Sequence, residues 1–249
     1  MKNQYFGDVG DYGKYGMLRF LVSRDISLAV NWYLTADDGG NDGKHISYLD
    51  KPTERRFDDQ LYDCLNQSVK SGVRNVIEFE KTGLLGSTVF YNELLSIPKG
   101  ALKKDRYAIR DDWHQKGLKS CIGAQLVFFD PDNGLRDGEP TSHRDGTKYI
   151  YAEEAADYYR QGQNIVYYCH KGRRTAEKWE TAKCILKKFL PDAVMGGVTF
   201  HRGTQRTYIF AVHPNESKKI YSVLSDFLHT DWGQLYTAEF VEGYDWTRG

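Results

Sequence analysis

Short apolar runs rich in β-branched and aromatic residues recur along the chain and alternate with segments of helical periodicity. The runs are LAVNWYL (28–34), NVIEFE (75–80), RYAI (106–109), QLVFFD (125–130), NIVYYCH (164–170), VMGGVTF (194–200) and TYIFAV (207–212). Several are apolar on both faces, which is typical of strands covered by helices on each side. The helical patterns span 13–24, 56–71, 113–121, 152–161, 174–189 and 216–229.

This alternation predicts a doubly wound, mostly parallel, Rossmann-like α/β sheet. Only HRGTQR separates the last two apolar runs, so we expect an antiparallel C-terminal hairpin. The 249 residues fit a single α/β domain over residues 1–249, with room for a helical insertion around residues 44–74. Ligands of such sheets bind at the carboxyl ends of the strands, so polar residues that follow strands are the first candidates for a site.

Composition narrows the class of protein only in part. Acidic and basic residues number 34 each, so net charge indicates no partner. The N-terminus has no apolar leader pattern, and no stretch approaches the ~20 apolar residues of a membrane span. The four cysteines are far apart and form no C-x-x-C motif, so we expect no structural zinc site. We therefore expect a cytoplasmic protein with reduced thiols and no membrane partner.

One predicted strand delivers acids at the point where it ends. LVFFDPDNG (126–134) runs from four apolar residues into Asp130, Pro131, Asp132 and Asn133. A proline holds φ near about −65°, which would keep the Asp130 carboxylate at the mouth of the sheet. The alternative is an ordinary turn, since D-P and N-G are common turn dipeptides. We predict that these four residues form a catalytic loop.

Two glycine-rich stretches precede or follow predicted elements near the same edge. TADDGGNDGKH (35–45) follows the first strand, and its acids and glycines suit a nucleotide-like ligand, although a plain solvent loop is the alternative. GDVGDYGKYGMLRFL (7–21) opens the first helix with Gly13 and Gly16 inside it. Each glycine costs ~1 kcal/mol relative to alanine in a helix. Close packing against another backbone or a ligand would account for that cost.

Residues 170–206 form a basic segment, with nine Lys or Arg against three acids, a net charge of +6. HKGRR (170–174) directly follows a predicted strand, so we expect His170, Lys171, Arg173 and Arg174 at the carboxyl edge as a substrate-binding group. Arg and Lys at such a place favour contact with phosphates, which makes nucleic acid the expected partner. The sequence leaves a homo-oligomer open. It also leaves open whether the tail 235–249 pairs as an edge strand, covers the site or mediates a dimer.

Taken in order, these motifs resemble the class I methyltransferase fold, and more narrowly the ribosomal-RNA (23S) adenine-N6 methyltransferases. DYGKYGML (11–18) is similar in place to that family's D-V-L-K-H-x-x-L segment, and TADDGG (35–40) to its D-T-H-A-G-A-G turn. LGST (85–88) partly matches its P-G-S-P, and DPDN (130–133) corresponds to its D-P-P-Y after an apolar strand. The resemblance covers roughly residues 5–213 and is carried by these short fragments.

The resemblance implies an enzyme that uses S-adenosylmethionine to methylate the exocyclic amine of a nucleic-acid base. It implies that Asp130 accepts a hydrogen bond from that amine. The acid that holds the ribose stays open between Glu80 and Asp111. The cofactor pocket implied by the resemblance consists of Asp11, Lys14, Asp37, Asp38, Gly39, Gly40 and Ser87.

The reactive loop departs from the family pattern at two positions. Asp132 stands in place of the second proline, and Asn133 in place of the aromatic residue that stacks on the base. Tyr149 or Tyr151 could supply that ring instead. Two other functions stay open as alternatives. One is a Mg-dependent nuclease or phosphodiesterase with aspartate ligands, and the other is a catalytically inactive descendant that binds nucleotide or nucleic acid.

Overall fold

A seven-stranded mixed sheet organises the chain. The computed structural model describes residues 1–40, 43–138 and 146–248. A separate two-stranded sheet pairs β4 (Leu135–Arg136) with β5 (Ile150–Tyr151). The strands of the main sheet are β1 (Leu28–Asn31), β2 (Val89–Tyr91), β3 (Leu126–Phe129), β6 (Asn164–Cys169), β7 (Val194–Phe200), β8 (Arg206–Val212) and β9 (Tyr236–Phe240).

The main sheet has the strand order β2-β1-β3-β6-β8-β7-β9. The strands β2, β1, β3 and β6 are parallel, whereas β8 lies antiparallel between β6 and β7. This is a Rossmann-like α/β sheet, and the predicted fold class and antiparallel C-terminal hairpin are confirmed. The tail forms an edge strand, one of the three roles left open for it, because β9 pairs antiparallel with β7.

Helices cover both faces of the sheet, and an apolar cluster lies on each side. One cluster contains Tyr15 and Leu18 of the first helix, and the other contains Trp113 and Tyr158. Within the described ranges, no helix is long and apolar enough to cross a membrane. The helices are α1 (Val9–Ser23), α2 (Asp59–Lys70), α3 (Val76–Lys81), α4 (Lys103–Ser120), α5 (Ala152–Arg160), α6 (Ala176–Lys183) and α7 (Pro214–Leu228).

Two of the predicted strands are helical. NVIEFE (75–80) is α3, because the Asn75 side chain caps it by accepting a hydrogen bond from the backbone N–H of Ile77. RYAI (106–109) lies inside α4. Apolar runs this short fit a strand or a buried turn of helix equally well, so periodicity does not separate them. The second strand is instead β2, a three-residue strand that the pattern did not predict.

The glycines inside α1 are explained by packing against side chains. A Cβ on Gly13 would lie 2.7 Å from the ring of Phe200, and one on Gly16 would lie even closer to the ring of Trp232. Contacts below 3.0 Å require something to move. The neighbours of both glycines are therefore aromatic rings of the same chain, which α1 could not approach with larger residues.

Candidate functional site

A cavity of about 350 Å³ opens beside the carboxyl ends of β3 and β6. Volumes of about 300–1,000 Å³ are usual for small-molecule sites. The walls come from the N-terminal segment, the first turns of α1, the loop after β3, the turn after β6 and the start of β8. The cavity brings together eight of the predicted site residues: Asp11, Lys14, Asp38, Asp130, Pro131, Asp132, Asn133 and His170.

Lys14 joins α1 to the loop after β3. Its Nζ lies 2.7 Å from Asp11 Oδ1 and 2.6 Å from Asp130 Oδ2, and its side chain is 4% exposed. Burial alone would lower the pKa of Lys14, but the two carboxylates outweigh burial and raise it. Burial raises the pKa of Asp11, and the Lys14 ammonium only partly opposes that shift. The lysine therefore stays charged and fixes the Asp130 carboxylate in one place.

Asp132 faces a second set of amines. Its carboxylate oxygens lie 2.9 Å from the Met1 ammonium and 3.1 Å from Lys2 Nζ. The same ammonium donates to the backbone oxygens of Tyr33, at 3.1 Å, and Asp130, at 2.8 Å. Burial alone would raise the pKa of Asp132, but the two nearby cations outweigh it, and the pKa is lowered. The DPDN loop (residues 130–133) thus offers both carboxylate and carbonyl oxygens to an amine donor.

A further ion pair, between Asp8 and Arg206, closes the cavity on the side of β8. Asp8 caps α1, since its Oδ1 accepts from the backbone N–H of Asp11 at 2.9 Å, and its Oδ2 accepts from Arg206 Nη2 at 2.9 Å. Sequence reasoning did not select Arg206 or its neighbour Tyr208 as site residues, although both line the cavity. The sequence signal that could have indicated them is their spacing of two at the start of a strand, which places both side chains on one face of the sheet.

The glycine turn at residues 37–40 is held by the side chain of Gln4. The Gln4 Oε1 accepts from the backbone N–H groups of Asp38 and Gly39, each at 3.1 Å. The turn is exposed, and only Asp38 contributes to the cavity lining, so Asp37, Gly39 and Gly40 lie beside the cavity. The pKa of Asp38 is lowered to about 2, chiefly by its hydrogen bond with Lys2. Residues 41 and 42, in the same predicted turn, lie outside the described residues.

Ser87 lies at the opposite edge of the sheet from the cavity. It comes two residues before β2, which runs parallel to β1, so it sits at the amino end of the strands. A Cβ on the preceding Gly86 would lie 3.2 Å from Val22, near the C-terminal end of α1. The structure therefore does not bring Ser87 together with the other predicted cofactor residues. This difference follows from β2, which the sequence pattern did not predict.

The basic turn after β6 contains Arg174, which donates hydrogen bonds to the backbone of the turn, and two further cations, Lys171 and Arg173. Arg174 Nη1 donates to the backbone oxygen of His170 and, at 3.3 Å, to that of Lys171. The Nδ1 atom of His170 lies 3.2 Å from the backbone oxygen of Gln205. Outside the cavity lining, the side chain of Arg173 is exposed and that of Lys171 is half-buried. Arg174 therefore shapes the turn, and Lys171 and Arg173 contribute two further positive charges next to the cavity.

Glu80 and Asp111, the two candidates for a ribose-binding acid, lie in different surroundings. Glu80 accepts from Trp32 Nε1 at 2.6 Å and from Asn92 Nδ2 at 2.7 Å. Because Trp32 and Asn92 directly follow β1 and β2, Glu80 lies at the carboxyl edge, and burial raises its pKa. Asp111 is exposed on α4. The position of Glu80 is the one compatible with a ligand at this edge.

The two tyrosines suggested as stacking rings are already covered by arginines. The Arg110 guanidinium lies 4.6 Å from the ring centroid of Tyr151, and the Arg136 guanidinium lies 4.4 Å from that of Tyr149. Tyr151 is also fully buried. Neither residue lines the cavity, whose tyrosines are Tyr5, Tyr168 and Tyr208.

The carboxylates of the cavity are paired with cations of the chain. Asp130 and Asp11 share Lys14, Asp8 pairs with Arg206, and Asp132 lies between two amines. Among the residues that the structure describes, no group of three or more His, Cys, Asp or Glu side chains has the arrangement of a metal site. The four cysteines are free thiols.

Comparisons with known proteins show a distant structural similarity. No family model matches the sequence, and no curated protein matches it significantly. The fold is similar to the crystal structure of protein LPL1258 from Legionella pneumophila str. Philadelphia 1, which is described with the family model DUF519. The two chains are 11% identical, the match covers 95% of this chain and 98% of that chain, and the TM-score is 0.43.

Proposed function

We propose that the chain is an S-adenosylmethionine-dependent methyltransferase whose acceptor is the exocyclic amine of a nucleic-acid base. The observation that carries the proposal is the chemistry of the DPDN loop. It leaves the carboxyl end of β3 and enters the cavity wall, where the Asp130 carboxylate accepts from Lys14 Nζ and the Asp130 carbonyl oxygen accepts from the Met1 ammonium. An exocyclic base amine presents the same kind of donor.

The lining of the cavity fits the charged parts of this cofactor. Asp38 is an exposed carboxylate suited to an ammonium group, and Lys148 is a cation suited to a carboxylate. The ring of Tyr5 also lines the cavity and offers a flat apolar surface to the adenine. When bound, the cofactor supplies an electrophilic methyl group on a positively charged sulfur.

The contribution of the chain is to orient the acceptor amine. Asp130, held by Lys14, accepts a hydrogen bond from the amine and so directs the nitrogen lone pair away from the loop. Asp132, with its lowered pKa, stays ionised and provides a second acceptor. Alignment of two reacting groups in this way contributes several kcal/mol, up to about 7–11, to a rate enhancement. A base inside a duplex must first leave the stack, so a flipped or single-stranded base is the substrate form.

The cations of the turn next to the cavity, half-buried Lys171 and exposed Arg173, suit the phosphate backbone of the same substrate. Lys171 and Arg173 lie on the turn after β6, whose first residue, His170, lines the cavity. Phosphate contacts of this kind position a nucleic acid without reading its sequence. The Mg-dependent alternative is less well supported, because a metal ion would have to displace Lys14 and Arg206 from their carboxylates.

Titration calorimetry with S-adenosylhomocysteine, and separately with MgCl₂, tests this proposal. We expect one site for S-adenosylhomocysteine and no heat of specific Mg²⁺ binding. Asp38→Asn, which changes a lining residue, should weaken the binding, whereas Ser87→Ala, at the opposite edge, should leave it unchanged. Specific Mg²⁺ binding with no S-adenosylhomocysteine binding would refute the proposal.

A further inference from the structure

The end of the cavity formed by β8 contains buried donors that the chemistry of the DPDN loop does not use. Within the described chain, three residues of the lining have a buried side-chain polar atom without a hydrogen bond: Asp132, Arg206 and Tyr208. Asp132 has its ion pairs with Met1 and Lys2. Among the described residues, neither Arg206 Nη1 nor the Tyr208 hydroxyl has a hydrogen-bond partner.

The geometry keeps both donors where they are. Arg206 and Tyr208 are two positions apart on β8, so their side chains lie on the same face of the sheet. The second guanidinium nitrogen, Nη2, is bound to Asp8 at 2.9 Å. The guanidinium also lies directly against the first turn of α1, since a Cβ on Gly10 would overlap its Cζ. Arg206 therefore has little freedom to turn Nη1 towards another acceptor of the chain.

The Tyr208 hydroxyl is a donor at any neutral pH. The residue is 0% exposed, and burial raises its pKa well above the ordinary value for tyrosine. A buried donor left without an acceptor costs about 1–3 kcal/mol, and native proteins satisfy most such groups. Two of them at one end of a cavity indicate an acceptor that a ligand provides.

The local charges decide which kind of acceptor fits. Arg206 and Lys14 bring two positive charges, and their ion-pair partners bring three negative ones, on Asp8, Asp11 and Asp130. This cluster has no positive charge left to neutralise a phosphate. An uncharged acceptor, such as a ring nitrogen or a keto oxygen, makes the hydrogen bonds without adding repulsion.

We propose that Arg206 and Tyr208 form a donor pair that binds an uncharged acceptor atom of a nucleobase. The inference rests on the proposed function, because it places the amine of the same base at the DPDN loop. Adenine and cytosine combine an exocyclic amine with ring or keto acceptors, whereas uracil has no amine. Arginine is a common donor to base acceptors. The pair therefore acts in the recognition of an amine-bearing base.

Tyr208→Phe removes one donor of the pair and nothing else. Tyr167→Phe is the matched control, because Tyr167 is also 0% exposed with an unbonded hydroxyl but does not line the cavity. Binding of adenosine, cytidine and uridine is measured by equilibrium dialysis, with and without saturating S-adenosylhomocysteine. Saturation keeps adenosine out of the cofactor site.

We expect adenosine or cytidine to bind the wild type more tightly than uridine does. Tyr208→Phe should weaken that binding about tenfold, the effect of one hydrogen bond, with an unchanged or higher Tm. Arg206→Lys, which keeps the charge beside Asp8, should weaken it as well. Tyr167→Phe should leave the binding unchanged.

Equal affinity in Tyr208→Phe and wild type would overturn the inference, and so would a wild type that binds none of the three nucleosides. The two proposals fail separately. If S-adenosylhomocysteine does not bind but nucleoside binding still depends on Tyr208, the methyltransferase proposal fails and the donor pair stands.

Discussion

Replacing Lys14 by methionine removes the cation between two buried carboxylates while keeping an unbranched side chain of similar length. Removing one partner of a buried ion pair costs about 3–5 kcal/mol, because an uncompensated charge stays behind. In the wild type, the Lys14 ammonium lies 2.7 Å from Asp11 and 2.6 Å from Asp130. Lys14→Met leaves both carboxylates without this cation. A domain of ordinary stability has about 5–15 kcal/mol in total, so Lys14→Met folds with a much reduced margin.

The loss should depend on pH in a defined direction. Burial already raises the pKa of Asp11 above its ordinary value, and without Lys14 the pKa rises further. A carboxyl whose pKa is raised in the folded state destabilises the fold as pH rises past its unfolded value of about 3.9. The deficit of Lys14→Met should therefore be smallest near pH 4 and grow towards pH 7.

Urea unfolding followed by circular dichroism at pH 4.5 and pH 7.5 measures this deficit. Lys116→Met is the matched control, since Lys116 also contacts two carboxylates, those of Glu93 and Asp112, but its side chain is 49% exposed. Exposed pairs often contribute nothing measurable, so the control should unfold like the wild type. Adding Asp11→Asn to Lys14→Met should restore part of the stability. A deficit equal to that of Lys116→Met, or one independent of pH, would refute the reasoning.

Three further changes test other parts of the account. Gly16→Ala should lower Tm, because overpacking against Trp232 costs about 1–3 kcal/mol and outweighs the ~1 kcal/mol gained in helix propensity. A higher Tm would contradict the close packing of Gly16 against Trp232. Asn75→Ala should cost about 0.5–2 kcal/mol in urea unfolding through loss of the α3 cap, and no loss would indicate that the cap is unimportant. Arg173→Ala should weaken nucleic-acid binding equally for all sequences and reduce the salt slope by about one unit. A sequence-selective loss with an unchanged slope would indicate base contacts instead.

The parts of the fold that the sequence predicted are those encoded by local pattern. QLVFFD (125–130) is apolar on both faces and ends in acids, and it forms a central strand that delivers Asp130 to the cavity. The last two runs needed only their short connection to predict the hairpin of β7 and β8. At NVIEFE (75–80), a run as long as QLVFFD, the pattern did not distinguish strand from helix, and the three-residue β2 was too short to give a pattern.

The parts of the site that the sequence missed depend on long-range contacts. Asp8 and Arg206 are 198 positions apart, and their pairing follows only from the insertion of β8 between β6 and β7. The glycine turn was expected in the pocket because it follows β1, but only Asp38 of residues 37–40 lines the cavity, and Gln4 binds the backbone N–H groups of the turn. Composition does not distinguish the Asp8–Arg206 pair, which lines the cavity, from the glycine turn, which lies mostly beside it, because both consist of ordinary polar residues and glycines.

Methyl transfer from radiolabelled S-adenosylmethionine to single-stranded nucleic acid, followed by digestion to nucleosides, tests the central claim most directly. The wild type should place the label on an exocyclic base amine. Asp130→Asn should fold normally, because Lys14 keeps its contact with Asp11, and should lose about 10²-fold or more in rate. A wild type that transfers no label, or an Asp130→Asn variant as active as the wild type, would contradict the assignment of the DPDN loop as the acceptor site.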